Sequence, residues 1–163
     1  TSTGQPIVDA VAGKPLVFNP YIPKLVMDAS FTPEEIRMSG ARVKKFEIKL
    51  GAKENLSNDF PIFRLADIML MKAEAMVRQS KNGDDYINPI RRRAGLADLN
   101  NATLDDILAE RGREMFWEAH RRQDLIRFGK FNHAWWEKPA SDVSRRIFPI
   151  PQWAIDSNPN LAK

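Results

Sequence analysis

The sequence predicts a mainly α-helical protein with extensive loops and little β structure. Ile62, Leu65, Ala66, Met69, Leu70, Ala73, Met76 and Val77 recur at helical spacing. Thr103 and Asp106 form a capping-box pattern ahead of a second apolar stripe, Leu104, Ile107, Leu108, Met115 and Ala119. Pro6, Pro15, Pro20, Pro23 and Pro33 crowd residues 1–58, a density that breaks up long helices.

Residues 1–58 therefore read as loop-rich. Within them Thr32 and Pro33 suit an N-cap and the first helical position of a short turn, 32–38. Phe46, Ile48 and Leu50 alternate with Glu47 and Lys49, which predicts a short strand near 43–50.

Residues 59–130 are helical. Asp59 and Pro61 suit the start of the first helix and Asn82-Gly83 its end. Phe63, Ile68 and Met71 lie off its stripe, so this helix expects neighbours on more than one side, as in a helical repeat, or an exposed apolar patch. A second helix follows over 84–94 and stops at Gly95. Pro89 either kinks it or marks a late start with Asn88 as the cap. The third helix, opened by Thr103, is expected to run to Phe128 with Gly129 as terminator. Residues 131–163 read as loops and a proline-punctuated tail.

Composition narrows the function. The chain has 163 residues, a formal charge of +4 and no cysteine. Thiol catalysis, thiolate metal sites and disulfides are excluded. Lysine and arginine number 25 but are interleaved with 21 acidic residues, and the arginine runs, Arg91-Arg92-Arg93, Arg121-Arg122 and Arg145-Arg146, are short. A nucleic-acid binder gathers its cations into a patch, so this pattern argues against one. His120 and His133 have no partner at ligand spacing, so no metal site is expected, and no cofactor motif is present.

The stretch ERGREMFWEAHRRQDLIRFGK (110–130) mixes both charge signs with large apolar residues. On a helical wheel at about 100° per residue, Arg111 and Glu118 fall inside the apolar stripe and Glu114 borders it. A charge directed into a core is tolerated only when paired. Arg121 and Arg122 are within helical reach of Glu118. The stretch therefore reads as an internal ion-pair network that docks the third helix. Acid/base catalysis by Glu110, Glu114 or Glu118 is the competing reading. Neighbours on one helix cannot flank a sugar ring, and nearby arginines hold carboxylates ionised. Trp135 and Trp136, in a Pro-flanked loop, are the candidate glycan contacts, because an indole face matches the apolar face of a pyranose. The bland alternative has one of them plugging the core and the other rimming it. Trp117 and Trp153 are expected to pack internally.

Four motifs in order, FPIFRLADIMLMKAEAMV, YINPIRRRAGL, ERGREMFWEAHRRQDLIRFGK and FPIPQWAIDSNPNL, resemble the C-terminal portion of the SusD/RagB family of outer-membrane lipoproteins from Bacteroidetes. In the third, Glu110, Arg111, Glu114, Glu118, Arg121, Asp124, Leu125, Arg127 and Gly129 match the family pattern. Ala119 stands where the family often has glycine, Arg122 where an aromatic is common, and Ala154 where an acidic residue is usual. The resemblance implies a SusD-like fold over 1–163: a tetratricopeptide-like helical pair, a further long helix and extensive loops. It places Arg111, Glu114, Glu118, Arg121, Asp124 and Arg127 in a structural ion-pair network rather than a catalytic site. It further implies a non-enzymatic, cell-surface glycan-binding component at the outer membrane. Such a protein hands oligosaccharides to a SusC-like TonB-dependent transporter and is held by an N-terminal lipid anchor absent from this chain. The alternative is a helical-repeat module that binds peptide or protein ligands.

Overall fold

A computed structural model describes residues 5–22, 24, 26–43, 45–46, 51–54, 59 and 61–162. It is mainly helical, and among the described residues no strand forms beyond isolated bridges. Most of the strand expected near 43–50 lies outside the described residues. Phe46, at its start, takes a left-handed φ of 62° rather than an extended one. The chain divides into two compact units, Thr1–Asn55 and Leu56–Lys163.

The first unit is loop with one short helix, α1 (Pro33–Met38). Thr32 caps it: its hydroxyl accepts from the Glu35 amide, and the Glu35 carboxylate accepts in return from the Thr32 amide at 2.7 Å. Arg37 holds the buried Asp9 at 3.0 Å.

The second unit contains α2 (Leu65–Arg78), α3 (Asp84–Arg93), α4 (Leu104–Glu114), α5 (Arg121–Arg127) and α6 (Gln152–Ser157). Ala66, Leu70 and Ala73 of α2 meet Ile87 and Ile90 of α3, with Ala102 and Ile107 closing the core. Phe128, Met69, Val77, Tyr86 and Leu99 pack around it. Gly83 permits the close α2–α3 approach: a Cβ there would stand 2.8 Å from the Ala73 carbonyl oxygen.

Helix boundaries differ from the sequence reading in three places. First, α2 starts at Leu65, after Asp59 and Pro61, and ends at Arg78; Gly83 then precedes α3 rather than ending α2. The α2 terminus closes earlier because Ser80 adopts a left-handed φ of 58°, with the Lys81 amide donating to Met76 O at 2.9 Å. Second, α3 begins at Asp84 and includes Pro89, so the late start is not adopted. Asn88 is not a cap. Its side chain brackets the Leu99 backbone, donating to the carbonyl at 2.9 Å and accepting from the amide at 2.8 Å. Asp84 accepts from the Asn101 and Ala102 amides, both at 2.8 Å. These tertiary bonds hold α3 in place around the hydrogen bond that Pro89 cannot donate. As expected, α3 ends on Gly95 at φ 75°.

Third, the single long helix expected to reach Phe128 is two helices. Trp117 and Ala119 take left-handed φ values of 66° and 62°, which end α4 and let α5 start in a new direction. Residue 117 thereby leaves the helical wheel. Trp117 is 65% exposed rather than packed internally. Trp153 is 72% exposed, because α6 is a six-residue helix with no buried residue. Phe63, Ile68 and Met71, the residues off the α2 stripe, are exposed too.

Ala119 bears backbone strain that glycine would not. Ala119→Gly is expected to raise stability by about 1 kcal/mol, the αL penalty outweighing the extra unfolded-state entropy. A melting temperature higher by a few degrees in thermal denaturation checks this.

Candidate functional site

The core of the second unit carries a set of charges that the fold pairs completely by sign. Arg111, on the buried face of α4, is 3% exposed. Its Nε donates to Asp124 Oδ2 on α5 at 2.8 Å and its Nη1 to Asp67 Oδ1 on α2 at 2.8 Å. Arg127 Nη2 donates to the other Asp124 oxygen at 2.8 Å, and Arg127 Nη1 reaches Glu74. Arg78 Nε also donates to Glu74, at 2.7 Å. The order Asp67, Arg111, Asp124, Arg127, Glu74, Arg78 thus alternates in sign and sums to zero.

A second knot lies where α4 ends. Arg64, just before α2, donates Nε to Glu118 Oε2 at 2.6 Å, Nη1 to Glu114 Oε1 at 2.6 Å and Nη2 to the Glu114 carbonyl at 2.6 Å. Arg93 of α3 pairs with Glu114 as well. Arg91 of α3 and Arg113 share Glu110 at 2.9 and 2.6 Å.

Two positions depart from the wheel. Arg121 does not engage Glu118: its Nη1 donates to the Leu108 carbonyl at 2.9 Å and the side chain lies against Gly112. Arg122 turns to the tail, stacking on Phe131 and Phe148 and donating to the Arg145 and Arg146 carbonyls. The cause is the break at 115–119, which carries both arginines past Glu118. Arg64, Asp67 and Glu74 were the partners missed in the sequence. The signal existed, because Asp67 and Glu74 sit seven residues apart beside Ala66, Leu70 and Ala73, charges inside an apolar stripe.

The electrostatics suit a scaffold. Burial pushes the Glu74 carboxyl upward, but hydrogen bonds from Arg127 and Arg78 more than offset it and hold it below the usual range. Burial likewise raises Glu114, and Arg64 and Arg93 bring it below its ordinary value. Both carboxyls are the reverse of a general acid.

The aromatic candidates lie on the loop after α5. Asn132 pins its base, donating to Ser141 Oγ at 3.1 Å and to the Asp142 carbonyl at 2.6 Å and accepting from Arg146 Nε at 2.6 Å. At its tip the chain reverses through Trp136 and Glu137, the latter at φ 54°. Trp135 N donates to Lys138 O at 3.0 Å, and Lys138 N donates back to Trp135 O at 2.9 Å. Trp135 is 48% and Trp136 52% exposed, so neither plugs the core. Among the described residues no helix is long and apolar enough to cross a membrane.

The second unit is thus a helical scaffold locked by buried ion pairs, with aromatic rings held out on a pinned loop. A family model described as the SusD family matches residues 33–163. The chain belongs to that family. It is 34% identical over 115 residues to the starch-binding protein SusD of Bacteroides thetaiotaomicron, covering 64% of this chain and 21% of that protein. It is 34% identical over 139 residues to the SusD-like protein P25 of Formosa agariphila, covering 74% of this chain and 26% of that one. The SusD-like protein P38 of the same organism is 28% identical over 148 residues, 78% of this chain and 29% of that protein. The chain therefore spans less than a third of the length of these relatives.

Arg111→Ala would strand Asp67, 3% exposed, and leave the equally buried Asp124 with Arg127 alone. The expected loss is about 3–5 kcal/mol in urea denaturation, against under about 1 kcal/mol for Arg113→Ala, whose guanidinium is mostly exposed. Glu118→Ala is expected to lower the melting temperature clearly, by stripping Arg64 of a partner. Stability should also depend on acid. The depressed Glu74 and Glu114 contribute stability above their unfolded pKa near about 4.3, and it is lost as pH falls through their lower folded values. Thermal melts are expected to be level between about pH 7 and pH 5 and to fall steeply below about pH 4.

Proposed function

We propose that this chain is part of a cell-surface glycan-binding component of a Sus-like uptake system, which delivers oligosaccharides to a SusC-like TonB-dependent transporter at the outer membrane. The observation that carries the reading is the pair of half-exposed indoles, Trp135 and Trp136, at the tip of a loop whose base is stapled through Asn132. An indole face held out in water by a fixed backbone stacks on the apolar face of a sugar ring at little entropic cost. Membership of the SusD family and similarity to a starch-binding relative support the same class of ligand. The reading is of a binding protein and not an enzyme: Glu110, Glu114 and Glu118 are each tied to arginines that hold the fold together.

One observation favours a second reading. Phe63, Ile68 and Met71 leave an apolar face on the α2 side exposed, which suits a helical-repeat module that binds a peptide or protein.

Tryptophan-fluorescence titration of the chain against soluble host, plant and microbial polysaccharides separates the two, with a Trp135→Ala/Trp136→Ala double variant beside it. Saturable quenching by a glycan, abolished in the double variant, is the expected result. Saturation by peptides with no response to any glycan would favour the second reading.

A further inference from the structure

We propose that the Trp135–Lys138 reversal is a subsite for an anionic sugar residue, a uronate or a sulfated sugar; this rests on the glycan-binding reading and names its substrate class. The reversal places the Lys138 ammonium 4.3 Å from the centre of the Trp135 ring. The ammonium is fixed there by two backbone carbonyls, His133 O at 3.1 Å and Pro139 O at 3.2 Å. An ammonium has three N–H donors, so one remains for an incoming acceptor. Lys138 is partly buried and has no carboxylate within ion-pairing distance among the described residues. It therefore differs from Lys130, which is spent on Asp105 at 3.1 Å.

A neutral sugar needs the ring face alone. A cation positioned over one face of the Trp135 ring adds a charge-assisted hydrogen bond to the carboxylate or sulfate of a sugar lying beside it. The surroundings agree in sign: residues 130–146 carry Lys130, Lys138, Arg145 and Arg146 against Glu137 and Asp142. Trp136, half exposed beside this pair, offers a second indole. The backbone bonds across the turn and the Asn132 staple set the ring and ammonium in place before any ligand arrives, which lowers the ordering cost of binding.

The test is fluorescence titration of the 163-residue chain with galacturonate trisaccharide, polygalacturonate and chondroitin sulfate, against amylopectin and dextran, at low and moderate salt. Short oligosaccharides limit the diffuse attraction of any polyanion to a basic chain. Saturable binding of the anionic sugars is expected, weakened about tenfold by Lys138→Gln, retained by Lys138→Arg and unchanged by Lys81→Gln, a lysine on the α2–α3 connection. Equal weakening by Lys138→Gln and Lys81→Gln would reduce the effect to net charge and overturn the subsite. Binding of neutral glycans alone would overturn it too, while leaving the glycan-binding reading intact. No response to any glycan, neutral or anionic, would overturn both. Circular dichroism of Lys138→Gln guards against a collapsed loop, and retained binding in Lys138→Arg with an unchanged spectrum assigns the loss to charge.

Discussion

The structure of the second unit depends on one buried cation. Arg111 sits in the core of a small helical assembly and is tolerated because two carboxylates from two other helices meet it there. This constraint is stronger than an apolar contact. Leucines slide over one another at modest cost, but a guanidinium with two fixed carboxylate partners accepts one arrangement. Asp67 sets where α2 lies against α4, and Asp124 sets where α5 lies against both. Arg127 then bonds Asp124 and carries the pattern on to Glu74, closing a circuit over three helices. The alternation in sign matters as much as the number of pairs, since the desolvation cost of each buried ion is offset only by an opposite charge hydrogen-bonded beside it.

The same constraint explains why the helix expected over 104–128 is broken. A continuous helix would carry Asp124 thirteen residues, about 20 Å, along the axis from Arg111 and out of its reach. The two left-handed residues, Trp117 and Ala119, end α4 so that Glu118 meets Arg64 while Asp124 meets Arg111. Backbone strain at two positions is thereby exchanged for completed ion pairs. Ala119 stands where the family often has glycine, and its φ of 62° supplies the physical reason for that preference.

With the carboxylates committed to the scaffold, chemistry moves to the periphery. The four tryptophans, none of them in the core, are on loops or a short helix: Trp117 at the α4–α5 break, Trp135 and Trp136 at the reversal, Trp153 on α6. Rigidity reaches the loop through Arg122, which stacks on Phe131 and Phe148 and bonds the backbone at Arg145 and Arg146. A scaffold that determines helix positions by charge and loops by hydrogen bonds to backbone can vary its exposed rings without losing its fold.

Periodicity, capping boxes and terminators were legible in the sequence because they are local. Leu70 and Ala73 announced the buried face of α2, Thr103 with Asp106 the start of α4, Gly95 and Gly129 the ends of α3 and α5. Charge inside the apolar stripe announced that Arg111 and Glu118 needed partners. Which partners they took was decided only in three dimensions, since Arg64 lies 54 residues from Glu118 and Asp67 lies 44 from Arg111. A helical wheel describes one straight helix, so it offered Arg121 and Arg122 and missed the break that removes them. The passage of α3 through Pro89 and the exposure of Trp117 and Trp153 were tertiary outcomes as well. The sequence alone determined where α2, α3 and the start of α4 lie and that their charges must be paired, while the short α6 in the tail read as loop was missed; the tertiary structure decided the pairing, because ion pairs form between groups that folding brings together and local pattern carries no distance.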